Sequence, residues 1–225
     1  GPATPSRYVP DVLVIDCAAS SERARAIRAA VSAVRRGDLA VIPTESAYAV
    51  VADPFNAAAV ARLRAAKGRG RDLPLPICVA RPRMVDGIVT GLGPDARALI
   101  EAFWPGGLTV IAAEQPTLAW DLGDSHGTVA VRMPLHPVAL DVIKETGPLI
   151  VTTANRAGST AARSCPEAQE VFGDEVAVYL DDGPSADMAP SSVVDVTGEA
   201  PVLVREGAFS IDDLRAVCPD VRVLD

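Results

Sequence analysis

Apolar residues fall in short clusters along the chain, broken by charges and prolines, and two spacings alternate among them. Ile27, Ala30, Val31 and Val34 recur at helical intervals behind Ser20 and Ser21, either of which is a good cap, and Gly37 is a natural end. Leu39–Ile42 is uninterruptedly apolar and stops at Pro43, the pattern of a buried strand. A second helix is predicted from Asn56 as cap, through Val60 and Leu63 on one face, to Gly68. Further helices are predicted at 94–103, 136–145, 166–172 and 210–217, and strands at 76–80, 108–113, 128–132, 149–153, 176–180, 192–196 and 202–204. Turns fall at Trp104–Gly107 and Asp182–Pro184.

Helices alternating with strands too apolar to face water on one side imply an α/β domain, a twisted sheet covered by helices. No repeat and no low-complexity linker interrupts it. The domain is placed at 20–217, with 1–19 as an N-terminal extension or edge strand and 218–225 as a C-terminal tail.

Composition narrows the class. The 225 residues are 49% hydrophobic and 22% charged, which excludes a disordered chain. No uncharged apolar run approaches the roughly 18 residues that span a bilayer, so no membrane partner is expected. The first six residues lack a basic start and an apolar segment, so no secretory signal is expected. Cys17, Cys78, Cys165 and Cys218 are dispersed and have no His at ligand spacing. They read as reduced thiols of a cytoplasmic protein, and no protein-held metal is expected.

A formal charge of −8 argues against a protein devoted to nucleic-acid backbones. One segment runs the other way. Arg62, Arg64, Lys67, Arg69, Arg71, Arg81 and Arg83 place seven of the 21 cations between 62 and 83, with Asp72 the sole acid, so an anion is expected there.

Four segments carry candidate chemistry. Pro43–Ala49 leaves a strand with two hydroxyls, a carboxylate and a phenol; standing alone it also fits a polar turn. Lys67-Gly68-Arg69-Gly70-Arg71 breaks a helix on glycines and carries three cations, which suits a polyphosphate but also a solvated helix end. No Gly-x-x-x-x-Gly-Lys-Ser/Thr motif is present, so a P-loop is excluded. Leu149–Asn155 is a buried strand whose alternation puts Thr153 and Asn155 on one side at its polar end. Ser191–Asp195 and Val202–Gly207 read as two strands offering hydroxyls and Arg205.

In this order the segments resemble the YrdC-like threonylcarbamoyl-AMP synthase family, from about residue 23 to 217. The family's Pro-Thr-(Asp/Glu)-Thr-x-Tyr-Gly loop is similar to Pro43–Ala49 and its Lys-x-Arg signature to Lys67–Arg69. Its Trp-Pro-Gly-x-Leu-Thr turn is similar to Trp104–Thr109 and its Val-x-x-Arg-x-Pro segment to Val129–Pro134. Its Ser-x-Asn signature is similar to Thr153–Asn155, and its closing segments to Ser191–Asp195 and Arg205–Gly207.

The resemblance implies a short form with a YrdC-like, double-stranded-RNA-binding-type fold: a single twisted mixed sheet with flanking helices and a concave basic face. It implies ATP-dependent conversion of L-threonine and bicarbonate or CO2 into threonylcarbamoyl-adenylate, releasing pyrophosphate, for the tRNA t6A modification. Hand-over to a tRNA threonylcarbamoyl-transfer complex, and weak or no direct RNA binding, are implied with it. Lys67, Arg69 and Arg205 would be catalytic, neutralising the leaving phosphates. Thr44, Tyr48, Arg132, Thr153 and Ser191 would hold threonine, with Arg132 on its carboxylate. Lys67, Arg69, Arg71, Thr128, Asn155 and Arg205 would hold ATP. Mg2+ would come with ATP, chelated largely by phosphates and water, with Asp195 as a candidate nearby carboxylate.

Several positions depart from the family pattern: Ser46, Ala47, Ala49 for a Gly, Leu73, and Arg156-Ala157. If the Gly position needs a positive φ, Ala49 strains the loop. The departures leave two other readings open: a paralogue acting on another amino acid or on carbamoyl phosphate, and a non-catalytic RNA-binding module using the 62–83 cations.

Overall fold

The computed structural model describes residues 11–225. Its strands are β1 (Leu13–Asp16), β2 (Ala40–Ile42), β3 (Ala49–Ala52), β4 (Ile77–Cys78), β5 (Val89–Thr90), β6 (Leu108–Glu114), β7 (Thr128–Arg132), β8 (Leu149–Thr153), β9 (Val178–Asp181), β10 (Ser192–Asp195), β11 (Val202–Arg205) and β12 (Arg222–Val223). They form one mixed sheet in the order β1-β9-β2-β3-β8-β4-β7-β6-β10-β11-β12, with β5 on β6. Its helices are α1 (Ser20–Arg35), α2 (Ala57–Lys67), α3 (Pro94–Phe103), α4 (Pro137–Thr146), α5 (Cys165–Phe172) and α6 (Ile211–Val217). Each predicted helix and strand is present, within a few residues. β1 and β12 are the two ends of the sheet, so residues from both expected extensions join it; residues 1–10 lie outside the described residues.

The caps follow the sequence with one exception. Asn56 accepts from Ala59 N, and Gly68 ends α2 in the left-handed conformation, φ +64°. Neither Ser20 nor Ser21 caps α1, because the helix already begins at Ser20 and its cap position is Ala19. Asp16 supplies the acceptor instead, taking Ala18 N at 2.9 Å and Ala19 N at 3.3 Å.

The two faces of the sheet are covered unequally, and this inequality creates the site. One face is buried along most of the sheet under α2, α3, α5 and α6, through residues such as Leu63, Leu99, Phe172 and Leu214. On the other face, α1 and α4 cover only β1, β9, β2, β3, β8 and β4. From β7 to β11 the second face has no helix over it. There the strands alternate between buried and half-buried positions, so Thr109, Ile111 and Ala113 on β6 and Thr128, Ala130 and Arg132 on β7 look outward. In a fully covered sheet both sets would be buried.

The open end also depends on close packing between the Gly106-Gly107 turn and the chain after β11. A Cβ on Gly207 would come within 2.6 Å of Ser191 O, and Gly207 N donates to Ser192 Oγ at 3.0 Å. Gly207→Ala is therefore expected to cost about 1–3 kcal/mol by overpacking, measured as a lowered Tm, and to displace Ser191. An unchanged Tm would show that this segment relaxes freely.

Candidate active site

Register places side chains on the open face in rows. Cys78, Arg132, Thr109, Val193 and Arg205 are successive partners across β4, β7, β6, β10 and β11, and partnered residues point to one face. Thr128 and Ala113 form another row at the opposite end of β7 and β6.

Three polar clusters border this surface. The first lies where α2 meets the end of β8. Lys67 Nζ donates to Thr153 O and to Asn155 Oδ1, both at 2.7 Å, and Thr153 Oγ1 donates to the same Oδ1 at 2.8 Å. Alternation along β8 and the αL turn at Gly68 aim these groups at one point. Arg156 holds the turn by donating to Ala66 O and Val171 O, and Ala157 N donates to Lys67 O. The departure at 156–157 thus fastens α2 to α5 and faces away from the open surface. Lys67 is only 3% exposed, and burial, with Arg69 adding a smaller push, lowers its ammonium pKa to about 8.

The sign of that shift gives a prediction. A lowered Lys pKa penalises the protonated folded state, so stability is expected to rise as pH climbs from about 8 towards 10.5. A bound anion favours the ammonium form, so pyrophosphate affinity is expected to fall above pH 8, by up to about tenfold per pH unit. Calorimetry between pH 7 and 9.5 checks both the decline and the accompanying proton uptake. A flat profile would place the anion elsewhere.

The second cluster ties the Pro43–Ala49 loop across to β7. Glu45, 8% exposed, pairs with the Arg132 guanidinium and accepts from Leu135 N at 3.1 Å. The third joins β6, β10 and β11. Ser191 and Thr109 hydroxyls lie 2.7 Å apart, and Arg205 donates to Ser191 O at 2.6 Å and Ser191 Oγ at 3.2 Å.

The structure changes several expected roles. Tyr48 is 1% exposed, accepts from Asp182 N and donates to Gly183 O, so it anchors the loop in the core and has no free hydroxyl for a substrate. Thr44 Oγ1 donates to Ala47 O and accepts from Ser46 N and Ala47 N, which shapes the loop. Arg71 stands apart, forked on Asp121 at 2.8 and 2.9 Å, because the loop before β7 offers that carboxylate. Arg69 turns back on Leu73 O and Pro74 O, bracing the strand-like segment beside the first cluster.

Arg205 and Lys67 make no hydrogen bond to one another and sit in different clusters. Lys67 meets the end of β8 and Arg205 stands on β11, five places further along the sheet order. Thr128 donates to Ser125 O at the rim between them. Asp195 lies on the open face beside Ile111, with Oδ1 taken by Thr197 N and Oγ1. Ala49 needs no left-handed backbone: among the described residues only His126 and Asp187 are non-glycine positions with positive φ. The anticipated strain is absent because Ala49 is already inside β3.

The buried Glu45–Arg132 pair and the Thr109 hydroxyl belong to the site but were not singled out from the sequence. Glu45 was visible as the loop's carboxylate; nothing local pairs it with a residue 87 positions away.

The described residues hold no group of three or more His, Cys, Asp or Glu side chains placed for a metal. The four cysteines are free and buried. A cavity of about 1040 Å³ lies among Asp11, Arg36, Asp38, Arg62 and Asp174 and is lined by none of the side chains of the three clusters. Converging polar groups, rather than volume, mark the open face as the site.

The sequence profile of the Sua5/YciO/YrdC family, described as "Telomere recombination", matches residues 32–207. A Mycobacterium tuberculosis protein named provisionally as a threonylcarbamoyl-AMP synthase is 46% identical over 202 residues, 90% of this chain and 93% of the relative. The Pseudomonas aeruginosa threonylcarbamoyl-AMP synthase is 34% identical over 167 residues, 74% of this chain and 90% of that protein. The structure of Pyrococcus abyssi Sua5 complexed with L-threonine superposes with a TM-score of 0.83 at 31% identity over 88% of this chain. This chain covers 58% of that longer protein.

Proposed function

The chain belongs to the Sua5/YciO/YrdC family, and on that footing we propose that it is a nucleotidyltransferase that makes L-threonylcarbamoyl-adenylate. The substrates are ATP, L-threonine and bicarbonate or CO2, the second product is pyrophosphate, and the adenylate supplies the tRNA t6A modification through a separate transfer complex. The observation that carries this reading is the uncovered half-face of the sheet, bordered by Lys67, Arg132 and Arg205 at three separate places. An anionic nucleotide and a zwitterionic amino acid need such a surface; a binding module for generic RNA does not.

Threonine's amine forms a carbamate, a carbamate oxygen attacks the α-phosphorus, and the bond from that phosphorus to the departing pyrophosphate oxygen breaks. Lys67 stabilises negative charge that grows on the leaving group, in a site too buried for water to screen it. Arg205 holds the other end of the nucleotide, and Arg132 with Ser191 and Thr109 offers a cation and hydroxyls for the amino acid. No side chain is needed as a nucleophile. Mg2+ arrives as part of the ATP complex, held by phosphates and water.

The 62–83 cations support this reading over the RNA-binding one. Arg62 donates to Gly37 O, Arg64 to Gly70 O and Leu122 O, Arg69 to two carbonyls, and Arg71 to Asp121, while Lys67 is buried. Four of the seven cations, Arg62, Arg64, Arg69 and Arg71, thus have donors committed to their own chain, which leaves the segment less to offer an extended RNA backbone than its charge suggests. The described residues contain no helix long and apolar enough to cross a membrane.

A pyrophosphate-release assay across the amino acids tests the proposal. Release is expected with L-threonine and to require bicarbonate. Preference for a different amino acid would make the chain a paralogue, and no release with any would overturn the enzymatic reading.

A further inference from the structure

Two titratable side chains of opposite sign are buried beside the open face, Lys67 and Glu45, and among the described residues no other acid or amine is as buried. The reaction as written employs Lys67 and leaves Glu45 without a task. It also leaves a proton unaccounted for, because an amino acid arrives as an ammonium and only its amine attacks bicarbonate. We propose that Glu45 accepts that proton, a role that rests on the carbamoyl-adenylate reaction given above.

Geometry places the carboxylate at a junction. Glu45 pairs with Arg132, which stands on the open face, and it also lines a cavity of about 300 Å³ with Thr44, Leu135, His136, Asp182 and Ser185. The buried Ser185 Oγ has no partner. His136 Nδ1 accepts from Val138 N, and its Nε2 lies 2.9 Å from Asp182, which holds the ring away from Glu45. The charges around Glu45 are therefore few. From β7 comes Arg132, from β4 the Cys78 thiol, which burial pushes up to about 11 and keeps neutral, and across the cavity Asp182 with His136. In the loop itself the Tyr48 phenol is raised by burial and uncharged. Arg132 is the cation that pairs with Glu45.

A bound amino acid changes that balance. Its carboxylate and Glu45 compete for the single guanidinium, and a buried carboxylate that loses its cation takes a proton readily. The N–H bond of the ammonium breaks, an O–H bond forms on Glu45, and the bound pair becomes an amine and a carboxylic acid. The amine lone pair then forms the N–C bond with bicarbonate, and water leaves, so that RNH2 and HCO3− give RNHCOO− and H2O. Glu45 returns its proton to solvent once the product departs and Arg132 pairs with it again.

The test compares kcat/KM for threonine in wild type, Glu45→Gln and Glu45→Asp at saturating ATP and bicarbonate from pH 7 to 9. Glu45→Gln is expected to lose roughly 100-fold or more at pH 7, the range of a lost general base. Its ratio to wild type should then climb by up to about tenfold per pH unit as free amine accumulates. Glu45→Asp keeps a carboxylate and should be slower with a flat ratio. A flat ratio for Glu45→Gln, or a climbing one for Glu45→Asp, overturns the role and leaves Glu45 as a loop anchor. If Glu45→Gln fails to fold, 15N NMR of labelled threonine on wild type with a non-hydrolysable ATP analogue decides: an amine signal supports the role and an ammonium signal overturns it. Wild type without turnover on any amino acid would instead sink the underlying reaction.

Discussion

Lys67→Met is expected to weaken ATP binding by roughly 10- to 150-fold, the loss of a charge-assisted contact worth about 1.5–3 kcal/mol, while Tm stays level or rises. The two halves of that result have one cause. Lys67 is buried against Thr153 O and Asn155 Oδ1, so the folded protein keeps a desolvated ammonium that an isosteric apolar side chain would spare it. Stability is given up for a preformed anion site, a familiar trade at functional positions. Calorimetry for ATP and a thermal melt on the same preparation separate the outcomes. Equal affinity would remove Lys67 from the phosphate site, and a collapse in Tm would make its role structural.

Arg132→Met should behave in the opposite way, with a cost of about 3–5 kcal/mol in stability, because it leaves Glu45 buried without its counter-charge. For a chain of this size that corresponds to a fall in Tm of roughly 6–20 °C. The exposures of 14% and 8% for the two side chains put this pair well outside the weak class of surface ion pairs. The double variant Glu45→Gln/Arg132→Met is expected to recover most of the loss, since removing both charges leaves nothing uncompensated. Additive single losses in the double variant would show that the two residues do not act as a pair. Either result also bears on the loop, because Glu45 is its tether to β7 and to the start of α4 through Leu135 N.

Much of the fold was legible because its signals are local. Asn56 and Gly68 bound α2 by cap chemistry, and Leu149–Thr153 is too apolar to be anything but an interior strand. What escaped the sequence is short or non-local. β5 and β12 are two-residue strands, fixed by register with neighbours and carrying no period of their own. The start of α1 was misplaced because the acceptor for its first amides sits at Asp16, outside the helix.

The site divides in the same way. Thr153 and Asn155 were paired by strand alternation, and the resemblance put Thr153 with threonine and Lys67 and Asn155 with ATP; the structure joins all three through Asn155 Oδ1. By the same resemblance Arg71 was expected with ATP and Tyr48 with threonine. The one is drawn to Asp121 and the other is sealed against Gly183, contacts 50 and 135 residues distant in the chain. The placement of Arg205 apart from Lys67 follows from strand order, which alternating patterns do not encode. The open half-face was expected only through the resemblance, as a concave basic face; no local pattern encodes it, because it arises from where helices are absent.

The central claim is that this surface joins threonine, bicarbonate and ATP into one adenylate, and isotope tracing reads it directly. The protein is incubated with ATP, L-threonine and 13C-bicarbonate, and the products are analysed at once by mass spectrometry. Threonylcarbamoyl-AMP carrying the 13C label, formed in step with pyrophosphate and diminished in Lys67→Met, is the predicted result. Pyrophosphate released without any labelled adenylate, or no adenylate under any condition, would contradict it.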